Sequence, residues 1–270
     1  MDSKKAFCAA LLPAAVGFAI ITPVRAAPEN EADAWSVTLG AGVANFPKYP
    51  GSRARRVEPL PVISIRHGRF FLGGVPGAGT PAGVGAYLYE GDHWKLGVAV
   101  GGDVIKPRKE SDDRRHLRGL GDINGTVQGG MFASYTLAWF TIQGSAFYDL
   151  EDHRNHEGMQ GSLEAVAKYS PCARLTLSAG PGVAFANRRY MQTFFGIDAI
   201  QSERSDYAEY FPKPGLELIS FSLGADYRLT SHWRLGARVT AGRLQGDAAH
   251  SVIVESKNQN IYAMFVAYRY

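Results

Sequence analysis

Apolar and polar residues alternate along most of this chain, in runs separated by connections that are by turns tight and long. From Ile219, one face reads Ile219, Phe221, Leu223, Ala225, Tyr227 and Leu229, and the other Ser220, Ser222, Gly224, Asp226 and Arg228. The next run sets Trp233, Leu235, Ala237, Val239 and Ala241 against Arg234, Gly236, Arg238, Thr240 and Gly242. Met159 to Tyr169 and Phe140 to Tyr148 repeat the pattern. A period of two is the mark of a β-strand with two unlike faces. A strand that crosses a bilayer needs roughly 9–11 residues with one apolar face.

Twelve such segments follow one another: 35–46, 57–66, 69–74, 83–90, 94–103, 124–136, 138–149, 158–169, 174–186, 216–228, 232–244 and 259–270. Gly73-Gly74, Pro76-Gly77 and Pro81 interrupt the third and fourth, and such residues weaken strands. If those two merge or fail, the count falls to ten. The connections after even-numbered segments are tight: His67-Gly68, Gly91-Asp92-His93, Leu137, Ser170-Pro171-Cys172-Ala173 and Leu229-Thr230-Ser231. Those after odd-numbered ones are longer and charged: 47–56, 75–82, 104–123, 150–157, 187–215 and 245–258. Short periplasmic turns and longer extracellular loops predict an all-β, closed antiparallel transmembrane barrel over 35–270.

A soluble sandwich would also alternate, so alternation alone does not choose the solvent. The aromatic residues do. Trp35, Trp94, Trp139 and Trp233 open strands, while Tyr148, Tyr169, Tyr227 and Tyr270 sit near strand ends. Amphipathic rings at both rims match a membrane-interface girdle. Tyr270 is terminal, with Tyr268, Val266, Met264 and Tyr262 before it at steps of two. An aromatic end on an apolar face resembles the signal read by the bacterial barrel-assembly machinery, carried here by Tyr268 and Tyr270.

The first residues read as a leader. Lys4 and Lys5 precede the apolar stretch Ala6–Val24, and Val24-Arg25-Ala26 is a small-residue cleavage site. Cleavage after Ala26 would leave a short periplasmic segment, 27–34, before the barrel. Losing Asp2, Lys4, Lys5 and Arg25 would lower the net charge from +4 to +2. That is weak reason to expect nucleic acid, which an exported barrel would not meet. Cys8 would leave with the leader, and Cys172 alone makes no internal disulfide.

Chemistry is sparse. Glu151-Asp152-His153 with His156-Glu157 offers metal-ligand types, but in a solvated loop and without the spacing of a zinc protease. Arg108 to His116 is a run of mixed sign. Its Asp112-Asp113 pair resembles the carboxylates of outer-membrane aspartyl proteases. Arg53, Arg55, Arg56, Arg114 and Arg115 could meet lipopolysaccharide phosphates, because guanidinium matches phosphate geometry. There is no nucleophile elbow, P-loop or dinucleotide fingerprint. No enzyme, metal or cofactor is expected. The predicted lumen is charged instead, with Lys95, Asp149, Glu164, Lys168, Asp226, Arg228, Arg234 and Arg238. These charges could pair across the lumen and close it, or line a narrow wet path. Loop 187–215 begins with Tyr190, Met191, Phe194, Phe195 and Ile197, an apolar run that wants a partner. It could plug the barrel mouth, extend a hairpin or touch another protein.

Four ordered motifs resemble the MipA/OmpV family of Gram-negative outer-membrane proteins. Pro47-Lys48-Tyr49-Pro50-Gly51-Ser52 resembles the family's P-x-Y-x-G-S stretch, and His67-Gly68-Arg69-Phe70-Phe71 its G-R-F-F hairpin. Tyr190-Met191-Gln192-Thr193-Phe194-Phe195-Gly196-Ile197 resembles Y-M-x-T-Y-F-G-V. Gly246-Asp247-Ala248-Ala249, followed by Ser251, Ile253 and Val254, resembles G-D-A-A-x-S-P-I-V, with Val252 where proline is usual. The resemblance implies an outer-membrane barrel without catalysis. One branch is described as a scaffold that binds a murein transglycosylase and a murein synthase, another as an adhesin. The expected function is therefore a murein-enzyme scaffold, with a narrow solute pore and a surface adhesin as the alternatives.

Overall fold

The computed structural model describes residues 34–74, 82–102, 108–150 and 158–270. The leader, most of segment 27–34 and the cluster Glu151–Glu157 lie outside those residues.

Twelve antiparallel strands form a closed barrel. They are β1 (Ser36–Pro47), β2 (Arg55–His67), β3 (Phe70–Gly73), β4 (Ala82–Glu90), β5 (Trp94–Gly102), β6 (Val127–Leu137), β7 (Phe140–Asp149), β8 (Met159–Cys172), β9 (Leu175–Ala186), β10 (Gly215–Arg228), β11 (Trp233–Leu244) and β12 (Ile261–Arg269). Each pairs with its neighbours in sequence, and β1 closes on β12 from Thr38↔Arg269 to Asn45↔Tyr262. The third and fourth segments are separate strands, so the count is twelve rather than ten. Closure matters in lipid, where an open edge would leave backbone groups without partners.

The period-two faces hold. Ile219, Phe221 and Leu223 point outward and are 41%, 49% and 54% exposed. Such exposure is unfavourable in water and favourable against acyl chains. Inside, the wall is divided. On one side Phe71, Tyr87, Phe132 and Phe147 pack as an aromatic cluster with Ala99. Two glycines make room for such rings. A Cβ on Gly97 would fall 2.2 Å from the Phe132 ring, and one on Gly236 2.3 Å from the ring of Phe265. From β7 round to β11 the lining turns hydrophilic, with Ser145 Oγ 2.9 Å from Ser162 Oγ and Ser222 Oγ 2.9 Å from Thr240 Oγ1.

Four of the five tight turns differ from expectation, the first being Gly68-Arg69 and the last Leu229-Thr230-Ser231-His232. β8 runs on through Cys172, so its turn is Ala173-Arg174 and the exposed thiol lies at a strand end. The turn placed at Leu137 is Ala138-Trp139, with Ala138 at φ 50°.

The loops differ more. Helices α1 (Arg188–Phe195) and α2 (Ala199–Arg204) occupy the loop after β9. Short 3-10 turns, Glu110–Asp112 and Ala248–His250, shape the loops after β5 and β11. Asn187 caps α1, its Oδ1 accepting from the Tyr190 N–H at 2.9 Å. Tyr190, Met191, Phe194 and Phe195 then fall on one stripe of the helix, and all four are buried.

Candidate functional site

The stripe of α1 turns down into the extracellular mouth of the barrel. There it packs on the inward ends of three strands, through Ala184, Ala186, Leu218 and Leu244, and on Ala248 and Ala249 of the last loop. A second cluster, Tyr49, Leu117, Leu120, Ile197 and Ile253, draws from four loops. The described loop residues form a cap at the mouth with its own apolar core. The start of loop 187–215 folds into the mouth, as a plug would.

Three of the four sequence motifs meet in this cap. Ser251 Oγ donates to the Phe195 carbonyl at 2.6 Å, holding a free helix end. Gly51 sits at φ +95°, a region that favours glycine, and a Cβ there would lie 2.6 Å from Val254. Its carbonyl accepts from the N–H groups of Glu255 and Ser256 at 2.9 Å, joining the first loop to the last. Tyr210 donates to the Asp247 carbonyl and Lys213 N–H to the Asp247 carboxylate, both at 2.8 Å. Pro50, Ser52, Met191, Gly196 and Ala248 lie buried among these groups. The fourth motif is elsewhere: Gly68 and Arg69 form the β2–β3 turn at the other end, and Phe70 opens β3, facing outward.

The charged lumen residues divide by depth. Nearest the cap, Asp149 accepts from Thr126 Oγ1, Gln128 Nε2 and the Gly158 N–H at 2.9, 2.9 and 2.8 Å. It is buried and ties together the ends of β6, β7 and β8. At mid-depth Glu164 accepts from Gln143 at 2.6 Å and from Arg238 at 2.9 Å, bridging the lumen side of β7, β8 and β11. Near the periplasmic end Lys95 and Arg66 share Glu90, at 3.1 and 2.5 Å. Lys168, Asp226 and Arg234 lie half-buried there. Arg228 is exposed at the rim and donates to the Ala173 carbonyl. Tyr268 stacks on His232 and packs edge-on against Tyr270.

Two inward-facing carboxylates, one of them buried, were missed by period-two reading. Alternation from Ile219 puts Glu217 outward, into lipid. A bulge between Leu216 and Leu218 turns it in, where Gln160 Nε2 donates at 2.7 Å and Tyr190 also bonds it. A bulge between Tyr87 and Tyr89 likewise brings Glu90 inside. The signal available was a carboxylate in a lipid-facing register, which is too costly to stay there.

Arg108 is the largest buried side chain, 2% exposed in the cap. Its Nε and Nη1 have no hydrogen-bond partner among the described residues. Burial pushes its pKa down to about 10, opposed by Tyr49, Asp122 and Glu110. Burial likewise raises the Tyr49 phenol, with Glu255 and Asp113 adding to the effect. The cap is thus apolar at its centre and acidic around Tyr49.

A family model described as "MltA-interacting protein MipA" matches residues 39–270. The MltA-interacting protein of Escherichia coli strain K12 is 23% identical over 238 residues, which cover 86% of this chain and 90% of the relative. YiaT of the same strain is 22% identical over 240 residues, covering 88% and 93%. Among solved structures, the NanC porin aligns with a TM-score of 0.42 at 8% identity, covering 87% of this chain and 99% of the porin. The protein is an integral outer-membrane β-barrel. With the model spanning nearly the whole barrel, from Leu39 in β1 to Tyr270, the chain belongs to the MipA family of MltA-interacting proteins.

Proposed function

We propose that this barrel is a non-catalytic scaffold that holds murein-processing enzymes, a transglycosylase and a synthase, at its periplasmic end. The observation that carries the reading is the asymmetry of the two ends. The extracellular mouth is filled by packed loops, while the periplasmic end keeps its polar groups half-exposed and mostly basic. Arg228 and Arg234 stand directly opposite in the β10–β11 register. Arg269 adds repulsion on Arg234. Like charges directly opposite destabilise a sheet; Asp226 offsets them in part, and the remaining positive charge of this end fits an anionic partner. The name of the MltA-interacting relative points the same way.

The short turns alone offer little area beside the roughly 1,200–2,000 Å² of a standard interface. A partner segment that enters the basic end adds wall contacts to the rim and meets this objection. Lipid, lipopolysaccharide and the assembly machinery are the further partners of such a barrel. Detergent-extracted protein should retain a murein transglycosylase, and Arg228→Glu with Arg234→Glu should release it. Failure to retain any murein enzyme would reject the scaffold.

The pore reading is favoured by one observation, the half-exposed inward charges Lys168, Asp226 and Arg234. It requires steady, salt-dependent conductance in a planar bilayer, altered by Arg234→Gln. A silent bilayer with a folded, heat-modifiable barrel removes it. An adhesin would act through the loops after β5 and β9, whose packing into the cap leaves less free surface than extended loops would.

A further inference from the structure

We propose that Asp113, His116 and Glu255 bind one divalent transition-metal ion of the zinc type, which cross-links the β5–β6 loop to the β11–β12 loop over the cap. His116 Nδ1 lies 2.9 Å from Asp113 Oδ2 and 3.5 Å from Glu255 Oε1. The three donor atoms all lie within 4.8 Å of one another. Tetrahedral zinc with bonds of about 2.0–2.2 Å sets its ligand atoms roughly 3.3 Å apart, so small side-chain shifts would complete the site.

The outer oxygens of both carboxylates are already held. Asp113 Oδ1 accepts from the N–H groups of Arg115 and His116 at 3.1 and 3.2 Å. Glu255 Oε2 accepts from the Tyr49 hydroxyl at 3.3 Å and the Arg53 N–H at 3.2 Å. This leaves Oδ2 and Oε1 turned toward the imidazole. Hydrogen bonds that fix the non-ligating atom of each ligand are how proteins orient a metal's donors. The Glu255 backbone is itself tied to Gly51. The donor set also selects the ion. Calcium and magnesium favour all-oxygen shells, whereas an imidazole with two carboxylates suits zinc and its first-row neighbours. Among the described residues this is the one group of three or more His, Cys, Asp or Glu that comes together in this way.

The test is isothermal titration of Zn2+ into the untagged chain, purified in detergent, with heat-modifiable gel migration to show that each variant is folded. One Zn2+ should bind per chain. His116→Ala should weaken it by about 100-fold and Glu255→Gln by about 10-fold. His153→Ala with His156→Ala should leave it unchanged. Zn2+ should also slow proteolysis of the β5–β6 loop in the parent chain and not in His116→Ala. Absence of binding, binding that survives His116→Ala, or binding lost with His153 and His156 would overturn the site.

Discussion

The two ends of this barrel solve opposite problems with the same twelve strands. At the extracellular end, residues from four loops and three strands bury an apolar core that any small soluble domain would recognise. At the periplasmic end, the four-residue turn 229–232 brings Arg228 and Arg234 opposite each other in register. Apolar packing is concentrated at the first end, while the second sets these like-charged arginines against each other. The contrast teaches that the cap is a packed unit, whereas the periplasmic rim keeps its arginines at the surface.

The comparison can be broken most directly at α1. Phe195→Ala should cost the cap about 3–5 kcal/mol, the usual penalty for emptying a buried aromatic site. Hydrogen exchange and loop proteolysis should rise while heat-modifiable migration persists. Unfolding of the whole barrel instead would show that cap and barrel are one cooperative unit. Glu164→Gln should lower thermal stability by about 2 kcal/mol. The penalty for removing one member of a buried pair is larger, but both side chains keep some solvent access. Ser251→Ala should cost about 1 kcal/mol, read as faster exchange of the last turn of α1, because the Phe195 carbonyl loses its donor. The smallest effect has the opposite sign. Arg228→Gln should leave stability unchanged or raise it by a few tenths of a kcal/mol in thermal unfolding. A clear loss there would mean that the basic rim is structural.

The barrel was readable because lipid imposes a rule on every second residue. That is why the strands emerge within a few residues of their observed ends, from Trp94 in β5 to Leu244 in β11. The cap was readable only in part. Tyr190, Met191, Phe194 and Phe195 announced an apolar surface in need of cover, yet nothing local said that Leu218, Leu244 and Ala248 would cover it. Its bonds join Gly51 to Glu255 and Phe195 to Ser251, across separations on which periodicity is silent. Glu217 and Glu90 escaped for a different reason. A bulge changes the phase of a strand, and the count of two carries no record of where the phase slips. The convergence of Asp113 and His116 with Glu255 escaped because loops without period have no predictable partner.

The bond from the Gly51 carbonyl to the Glu255 and Ser256 N–H groups also has a meaning in time. Gly51 lies just past the first strand and Glu255 just before the last. The cap cannot close until nearly the whole chain has been threaded into the membrane and β12 has found β1. Contacts between such distant points form late, since loop closure must come first. The cap is therefore a seal set after assembly. A barrel stalled one strand short would lie open at the mouth, with its loops loose and within reach of a protease.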